Sequence, residues 1–277
     1  MVKDDKLFCF KENRIVIPGV KGEHLFLHVT DSHIDVVDEL STPEERKKYD
    51  DQHEFWVKYR KFFAELSNFP CGPDQEIPMQ EAFEKTLALA EEMKPEALLL
   101  TGDILDNMHP AGERYLPKRL AEYSGTVFAT TGNHEDPPIP GYLETGVQTL
   151  ECDGFRIVSV DDSRLTVSDE DLAALKALCE EGIPIIVICH APFLTAMSED
   201  KVDKKNPFFA YFYITEQSED ANARAFIDLC ATNDTIKAVI CGHVHGYNKV
   251  EFAPGKPMIM GFHGLGGGVD IVTVAGE

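Results

Sequence analysis

The feature that most constrains the fold is a series of short apolar runs, each of which ends at a polar motif. The runs lie in EHLFLHVTDSH (23–33), EALLLTGD (96–103), TVFATTGNHE (126–135), FRIVSVDD (155–162), IPIIVICHAP (183–192) and KAVICGHVH (237–245). Brief runs rich in β-branched residues suit strands that are buried on both faces. The sequence therefore predicts sheets whose strands lie in the interior of the fold.

Amphipathic segments with a helical period lie between several of these runs. Residues 79–93 form one such segment, and residues 218–233 form another just before the last run. A third covers 168–182, where Ser168 stands at the N-cap position and Gly182 follows the last turn. The alternation of strands and helices predicts an α/β fold with largely parallel pairing, whose ligand-binding groups gather at the carboxyl ends of the strands.

A charged insertion over residues 36–78 interrupts this alternation. Thr42, Pro43 and Glu45 predict that a helix begins within it. Threonine caps helix N-termini, proline suits the first helical position, and a glutamate three residues after the cap completes a capping box. We therefore predict a helical insertion.

A second departure from the alternation is the stretch 193–217, which follows the run ending at His190 and contains PFFAYFYITEQ. Long connections inside compact domains are often functional, so we predict that this stretch helps to shape a substrate pocket. Its aromatic residues at 208–213 are interpreted as packing within the loop. No internal repeat or low-complexity linker divides the chain, which predicts a single domain over residues 1–277.

The net charge limits the partners of the protein. Its formal value is -22, from 26 lysines and arginines against 48 aspartates and glutamates. This balance argues against binding nucleic acid or an anionic membrane through a basic surface. It does not exclude a small phosphorylated substrate, because a bound metal ion dominates the field around it. The oligomeric state is left open.

Cysteine usage and the first residues of the sequence indicate the compartment. The seven cysteines form no C-x-x-C pair, and five of them lie in apolar segments, where a reduced thiol behaves as a small hydrophobic side chain. The opening MVKDDKLFCFKENR contains no apolar signal region. No apolar stretch approaches the ~20 residues needed to span a bilayer. The sequence predicts a soluble, cytoplasmic protein.

Side chains that can bind metal ions stand at the ends of the apolar runs. Residues at i and i+2 of an extended chain point to the same side, and the candidates include two such pairs. The candidates are Asp31 with His33, His243 with His245, and the single residues Asp103, Asn133 and His190. Glycines at 102, 132 and 242 suit positions where the backbone turns sharply or approaches a ligand closely. Each residue alone could be a helix cap, a turn residue or a histidine of the hydrophobic core, but the combination favours a metal site.

Taken in chain order, these residues form five motifs. They are D-x-H at 31–33, G-D-x-x-D at 102–106, G-N-H-E at 132–135, a strand-end histidine at 190 and G-H-x-H at 242–245. The ordered set, which spans most of the chain, resembles the calcineurin-like metallophosphoesterase superfamily. The resemblance implies a mixed α/β (α+β) fold of four layers, an α/β/β/α sandwich that contains two mixed sheets.

The resemblance also implies a dinuclear metal centre. One ion would take Asp31, His33, Asp103 and His245, and the other would take Asp103, Asn133, His190 and His243. The shared carboxylate of Asp103 would damp the repulsion between two divalent ions ~3.5–4 Å apart. Mixed imidazole and oxygen ligands suit divalent Mn, Fe, Zn, Co or Ni, and the sequence does not distinguish among these metals.

The reaction that the resemblance implies is hydrolysis of a phosphoester bond by a metal-bound hydroxide. The substrate would be a small phosphodiester or phosphomonoester, such as a nucleotide. His134 would protonate the leaving oxygen as a general acid, and Asp106 would orient His134 and stabilise its imidazolium form. Glu135 is either a support for the site or a polar loop residue.

Departures from the family patterns narrow the choice of branch within the superfamily. Asn107 and Met108 stand where protein Ser/Thr phosphatases have Arg-Gly, and Asp106 stands where purple acid phosphatases have tyrosine. The remaining pattern resembles the bacterial phosphodiesterase-like branch, and the missing arginine favours a diester monoanion over a monoester dianion. Two alternatives stay open: a catalytically silent interaction module on the same fold, and a nuclease. The complete ligand set argues against the first, and the acidic balance argues against the second.

Overall fold

A computed structural model of the chain describes residues 7–66, 77–135, 138–139, 142–143, 146–202 and 212–277. Thirteen strands lie within these ranges. They are β1 (Cys9–Val16), β2 (Glu23–Val29), β3 (Ala97–Thr101), β4 (Val127–Thr130), β5 (Gln148–Cys152), β6 (Phe155–Ser159), β7 (Ile185–Ile188), β8 (Phe193–Leu194), β9 (Ile214–Thr215), β10 (Ile236–Cys241), β11 (Asn248–Ala253), β12 (Lys256–Met260) and β13 (Gly268–Ala275).

The strands form two large sheets and one small pair. One sheet has the order β1-β13-β2-β3-β4, the other has the order β11-β12-β10-β7-β6-β5, and β8 pairs with β9. In the first sheet the β13–β2 ladder is antiparallel and the other ladders are parallel. In the second, the interior ladders are parallel and the edge strands β11 and β5 are antiparallel. The prediction of largely parallel pairing is confirmed.

Five α-helices of three or more turns lie in the same ranges. They are α1 (Pro43–Leu66), α2 (Met79–Met93), α3 (Pro110–Glu122), α4 (Asp169–Glu180) and α5 (Ala221–Thr232). The predicted capping box starts α1, because Glu45 N donates to Thr42 Oγ1 at 3.2 Å and Thr42 N donates to the Glu45 carboxylate at 2.6 Å. Helix α1 thus lies within the predicted insertion over 36–78, of which residues 67–76 lie outside the described residues.

Alternate residues of the central strands face opposite layers. In β3, Leu98 and Leu100 pack with residues of α1, α2 and α3, whereas Ala97 and Leu99 pack against the second sheet. The strands of that sheet pack their other face on α4 and α5. Side chains alternate in this way because successive residues of a strand point to opposite faces. The resulting order of layers, helix–sheet–sheet–helix, confirms the predicted four-layer sandwich.

Several elements have no counterpart in the sequence-based predictions. Among them are β1, β5, β11 and α3. In β1, Glu12 and Arg14 are exposed while Asn13 and Ile15 are buried, so that strand has no continuous apolar run. Helix α3 contains Pro117 and few apolar residues. These elements lie at sheet edges or on the surface, where the burial that marks a central strand is missing.

The described part of the chain also bears on compartment and domain structure. None of its helices is both long enough and apolar enough to cross a membrane. Its six cysteines are free, and five of them are buried, as the sequence predicts. A single domain over residues 1–277 and a cytoplasmic location stay predictions.

Candidate metal centre

The predicted ligands meet where the carboxyl ends of strands from both large sheets come together. Asp31 and His33 follow β2, and Asp103 follows β3. The other candidates follow β4, β7 and β10: they are Asn133, His190, His243 and His245. Three groups of potential ligand atoms result, each with its atoms within 4.8 Å of one another. They are Asp31/His33/His245, Asp103/His190/His243 and His33/Asp106/His134.

The backbone at the site adopts a conformation that most residues avoid. Within the described ranges, non-glycine residues at positive φ number seven, and five of them are predicted ligands. Those five are Asp31 (51°), His33 (44°), Asp103 (53°), His243 (68°) and His245 (54°). Left-handed backbone at non-glycine residues is uncommon and clusters at functional sites, where the surrounding structure imposes it. The strain supports a functional role for this edge of the sheets.

Two of the predicted glycines permit close approach between neighbouring loops. A Cβ atom at Gly132 would overlap the backbone nitrogen and the carboxylate of Asp103. At Gly242 it would overlap the Thr30 hydroxyl and the Asp31 carboxylate. Any side chain at these positions would therefore push a candidate ligand out of place, which explains glycine there.

The first group joins two imidazoles to one carboxylate. His33 Nε2 and His245 Nε2 lie 3.0 Å apart, and Asp31 Oδ1 lies 3.1 Å from the latter and 3.8 Å from the former. All three side chains are buried. Two nitrogens that are each ~2.1 Å from one ion at a right angle stand ~3 Å apart, so this spacing suits a shared cation.

The second group provides a direct test of whether the site fits a metal ion. His190 Nδ1 lies 2.7 Å from the carbonyl oxygen of Thr101, so that nitrogen carries the hydrogen. When the ring is neutral, Nε2 presents its lone pair to Asn133 Oδ1 at 3.0 Å and to Asp103 Oδ2 at 3.3 Å. Three converging acceptors repel one another unless a cation, either a proton on Nε2 or a metal ion, lies among them. The donor set therefore fits a metal ion.

The charges of the buried groups favour a cation as well. Burial alone would raise the pKa values of the Asp31 and Asp103 carboxyls, but neighbouring imidazoles outweigh it and lower both. The main neighbour is His245 for Asp31 and His190 for Asp103. Burial lowers the pKa of His190, yet Asp103 and Asp31 together raise it well above its usual value. The part of the site around Asp31, Asp103 and His190 thus attracts positive charge strongly.

His134 lies at the open side of the site, with a third of its side chain exposed. Its Nδ1 contacts the main-chain carbonyl oxygen of Asp106 at 2.5 Å, whereas the Asp106 carboxylate is 3.6 Å away. Its Nε2 points inward, 3.9 Å from Asp103 Oδ2. Burial lowers the pKa of His134, but the carboxylate of Asp103 and the contacts with Asp106 raise it above the ordinary value. The ring is therefore held through the backbone of Asp106.

The carboxylate of Asp106 has other partners. Its Oδ2 accepts hydrogen bonds from Gln52 Nε2 at 2.6 Å and from Asn107 Nδ2 at 2.7 Å. Its Oδ1 faces His33 Nδ1 at 3.3 Å. A carboxylate on the far nitrogen of a metal-binding histidine fixes which ring nitrogen faces the metal. In this structure the Asp106 carboxylate is thus placed to orient His33 at least as directly as it orients His134.

Helix α1 covers the first group of ligands, which sequence reasoning did not anticipate. Gln52, Trp56 and Tyr59 follow one another at intervals of four and three residues and therefore share one helix face. The Trp56 ring stacks on His33, with centroids 4.4 Å apart and planes 24° apart, and the Tyr59 ring meets His245 edge-on at 5.6 Å. The insertion is therefore part of the site.

Two buried carboxylates hold the ligand-bearing loops together. Glu135 Oε1 accepts hydrogen bonds from the backbone nitrogens of Ile104 and Leu105 at 2.9 and 3.0 Å, and its Oε2 accepts from Gly132 N at 3.2 Å. Asp162 Oδ1 accepts from His190 N at 2.7 Å. Burial raises the pKa of Glu135 to about 7 and that of Asp162 to about 6. Of the two interpretations of Glu135, support for the site is the one the structure favours.

Replacing Glu135 with alanine should destabilise the fold strongly. Three buried N–H groups would lose their acceptor, and each unsatisfied group costs about 1–3 kcal/mol, so we expect the free energy of unfolding to fall by about 3–9 kcal/mol. Chemical denaturation measures the change. Glu12→Ala, at an exposed position of β1, should change it by less than about 0.5 kcal/mol. Equal losses in the two variants would contradict the bridging role.

A cavity of about 340 Å³ opens onto these groups. Beside the candidate ligands it is lined by Phe55, Trp56 and Tyr59 of α1 and by Phe212. Phe212 belongs to the stretch 193–217, so its interpretation as packing within that loop is too narrow; residues 203–211 lie outside the described residues. None of the lining residues in the described part of the chain is lysine or arginine.

This fold, together with this set of donor atoms, defines a class of protein, the metal-dependent hydrolases. A sequence profile of calcineurin-like phosphoesterases matches residues 24–247, and the chain belongs to this family. Members of the family use a dinuclear metal centre, and the protein is a metal-dependent phosphoesterase. A comparison with curated proteins gives no significant match.

Solved structures with a similar fold share little sequence with this chain. A dimetal phosphatase from Danio rerio is 11% identical, with a TM-score of 0.48, over 87% of this chain and 88% of that one. The protein TT1561 of Thermus thermophilus is 12% identical, with a TM-score of 0.48, over 88% and 91%. The purple acid phosphatase PPD1 of yellow lupin is 10% identical, with a TM-score of 0.46, over 92% and 46%.

Proposed function

We propose that the protein hydrolyses a small phosphodiester or phosphomonoester, such as a nucleotide, at a centre of two divalent metal ions. The position of Asp103 carries this proposal. Its Oδ2 lies 3.3 Å from His190 Nε2 in one group and 4.0 Å from His33 Nε2 in the other. A carboxylate oxygen between two sets of ligands would be available to both of two neighbouring cations.

Each ion would be held by residues from both sheets. One would be bound by Asp31, His33, Asp103 and His245, and the other by Asp103, Asn133, His190 and His243. When bound, two such ions neutralise phosphoryl oxygens and lower the pKa of water to near neutrality. His33, Asp31 and Asp103 are buried, which supports this role. Water in the site would weaken the attraction between the ligands and the ions, and burial keeps that water out.

His134 is proposed to supply a proton to the leaving oxygen. The Asp106 carbonyl oxygen fixes the hydrogen of this ring on Nδ1, so the proton that can be transferred is the one on Nε2, which faces the site. The partial exposure of the ring lets it meet a substrate in the cavity, and the anionic surroundings favour its protonated form. Asp106 is proposed to position His33 and, through its backbone, His134.

A diester monoanion suits the cavity better than a monoester dianion. Asn107, which stands where the protein Ser/Thr phosphatases have arginine, donates its amide to Asp106. The described residues that line the cavity include no lysine or arginine to pair with a second negative charge. A catalytically silent interaction module would have no need of this complete ligand set, with five strained ligands.

Turnover by metal-loaded protein tests the proposal. Methyl 4-nitrophenyl phosphate, a diester, and 4-nitrophenyl phosphate, a monoester, would be assayed after chelation and again after addition of Mn²⁺, Zn²⁺, Co²⁺, Ni²⁺ or Fe²⁺. We expect no turnover by the chelated protein, recovery with at least one metal, and a higher kcat/KM for the diester. Unchanged turnover after chelation would overturn metal dependence, and no turnover with any metal would favour the silent module.

A further inference from the structure

Helix α1 presents an apolar side chain to solvent beside the candidate metal centre. Phe55 lines the cavity and is 50% exposed, although its neighbour Trp56 is only 5% exposed. Phe62, two turns further along the helix, is similarly exposed at 55% but is not among the residues that line the cavity. An exposed phenylalanine at the entrance of a polar cavity offers a surface that a ligand can cover.

The Phe55 ring is held in place by its neighbours. It stacks on Tyr59 with centroids 5.6 Å apart and planes 25° apart, and it meets Trp56 edge-on at 5.1 Å. Trp56 and Tyr59 also meet edge-on, at 5.1 Å. Three rings that fix one another lose little conformational freedom when a ligand binds, which favours recognition of a flat group.

The aromatic rings adjoin the ligands of both groups. Trp56 stacks on His33, as described above, and Phe212 meets His243 edge-on with centroids 5.3 Å apart. A phosphoryl group at the metal centre would therefore have ring surfaces within reach of its organic substituent. The described lining residues include no lysine or arginine that would pair with a negatively charged substituent.

We propose that Phe55, with Trp56, Tyr59 and Phe212, forms a subsite for a planar aromatic substituent of the phosphoester, such as a nucleobase or an aryl group. The inference rests on the proposed function, since the phosphoryl group is taken to lie at the metal centre. Aromatic rings prefer to stack or to meet edge-on with other rings, so such a subsite distinguishes a ring from an alkyl group of similar polarity. Phe55 is a specificity-determining residue here, and it takes no part in metal binding.

Binding of phosphonates to the metal-loaded protein tests the subsite without turnover. Methylphosphonate, phenylphosphonate and a thymidine 5′-phosphonate would be titrated by calorimetry into wild type, Phe55→Ala and the matched control Phe62→Ala. We expect wild type to bind the two ring-bearing compounds roughly three- to tenfold more tightly than methylphosphonate. Phe55→Ala should lose this preference while its affinity for methylphosphonate and its metal content stay unchanged, and Phe62→Ala and Phe55→Trp should keep it.

The outcomes separate the subsite from the proposed function. Preference for phenylphosphonate alone would identify an aryl substituent, and preference for the thymidine compound would identify a nucleobase. Equal affinities in wild type, a preference that survives in Phe55→Ala, or an equal loss in Phe62→Ala would overturn the subsite. Nitrophenyl ester turnover by the wild-type sample reports the proposed function, so absent turnover with an intact ring preference would reject that function and not the aromatic site.

Discussion

Replacing Asp103 with asparagine should lower the occupancy of both metal sites together. The carboxylate oxygen Oδ2 lies between His190 and His33, so its loss would remove a proposed ligand from each ion at once. Several kcal/mol of transition-state stabilisation depend on the two ions, and we expect activity to fall by roughly 10³-fold or more. Asparagine keeps an Oδ1 acceptor for the backbone nitrogen of His134, which is bonded to Asp103 Oδ1 at 2.8 Å. The fold should therefore survive.

Elemental analysis of the purified protein measures the result. Wild type should hold, or regain on reconstitution, close to two transition-metal ions per chain, in line with the dinuclear centre of the family. Asp270→Asn is a matched control, because Asp270 is also buried but pairs with His28 at 2.8 Å in the core of the first sheet. That variant should change stability and leave metal content intact. If Asp103→Asn empties one site and leaves the other filled, the carboxylate is not shared.

The sequence predicts where the candidate ligands gather because each one follows a strand, and all but Asn133 follow an interior strand of a sheet. The runs before Asp31, Asp103 and His190 are apolar and short, and parallel strands bring their carboxyl ends to one edge of a sheet. That argument locates the edge but does not say how two sheets meet there. The structure adds this point: the ends of β2 and β3 face the ends of β7 and β10, and side chains from both sheets form the groups Asp31/His33/His245 and Asp103/His190/His243.

The part played by α1 could not be predicted in the same way. Gln52, Trp56 and Tyr59 are spaced to share one helix face, but spacing within a helix does not reveal what that face contacts. The contacts of α1 with His33 and Asp106 are tertiary and join residues more than twenty positions apart. β1 was missed for a related reason, since it pairs with β13 at the opposite end of the sequence and carries polar residues on one face.

The surroundings of Asp106 also modify the role that the family resemblance implies. Its carboxylate is bonded to Gln52 and Asn107 and faces His33, while His134 is held by the carbonyl oxygen of the same residue. A side-chain substitution at Asp106 would therefore disturb His33 more directly than His134. For this reason the acid role is better tested at His134 itself.

Replacing His134 with alanine should reduce turnover by an amount that depends on the leaving group. An alkoxide departs poorly unless it is protonated, so with an alkyl or ribosyl leaving group we expect a loss of roughly 10²- to 10⁴-fold. A 4-nitrophenolate departs without help, so with that ester the loss should be distinctly smaller. Metal content should hardly change, because His134 is absent from both proposed ligand sets. Rates are compared at saturating substrate, so that the comparison reports the chemical step and not substrate binding.

His243→Ala is the contrasting variant for this experiment. His243 belongs to the group formed with Asp103 and His190, so its loss should reduce metal content and activity together, whatever the leaving group. The proposed acid acts on one step only, whereas a ligand supports every step that needs the ion. A loss of metal from His134→Ala, or equal losses on both esters, would show that His134 positions the site and does not donate the proton. A leaving-group dependence in His134→Ala alone would assign the proton to its Nε2, the nitrogen that faces Asp103 in the structure.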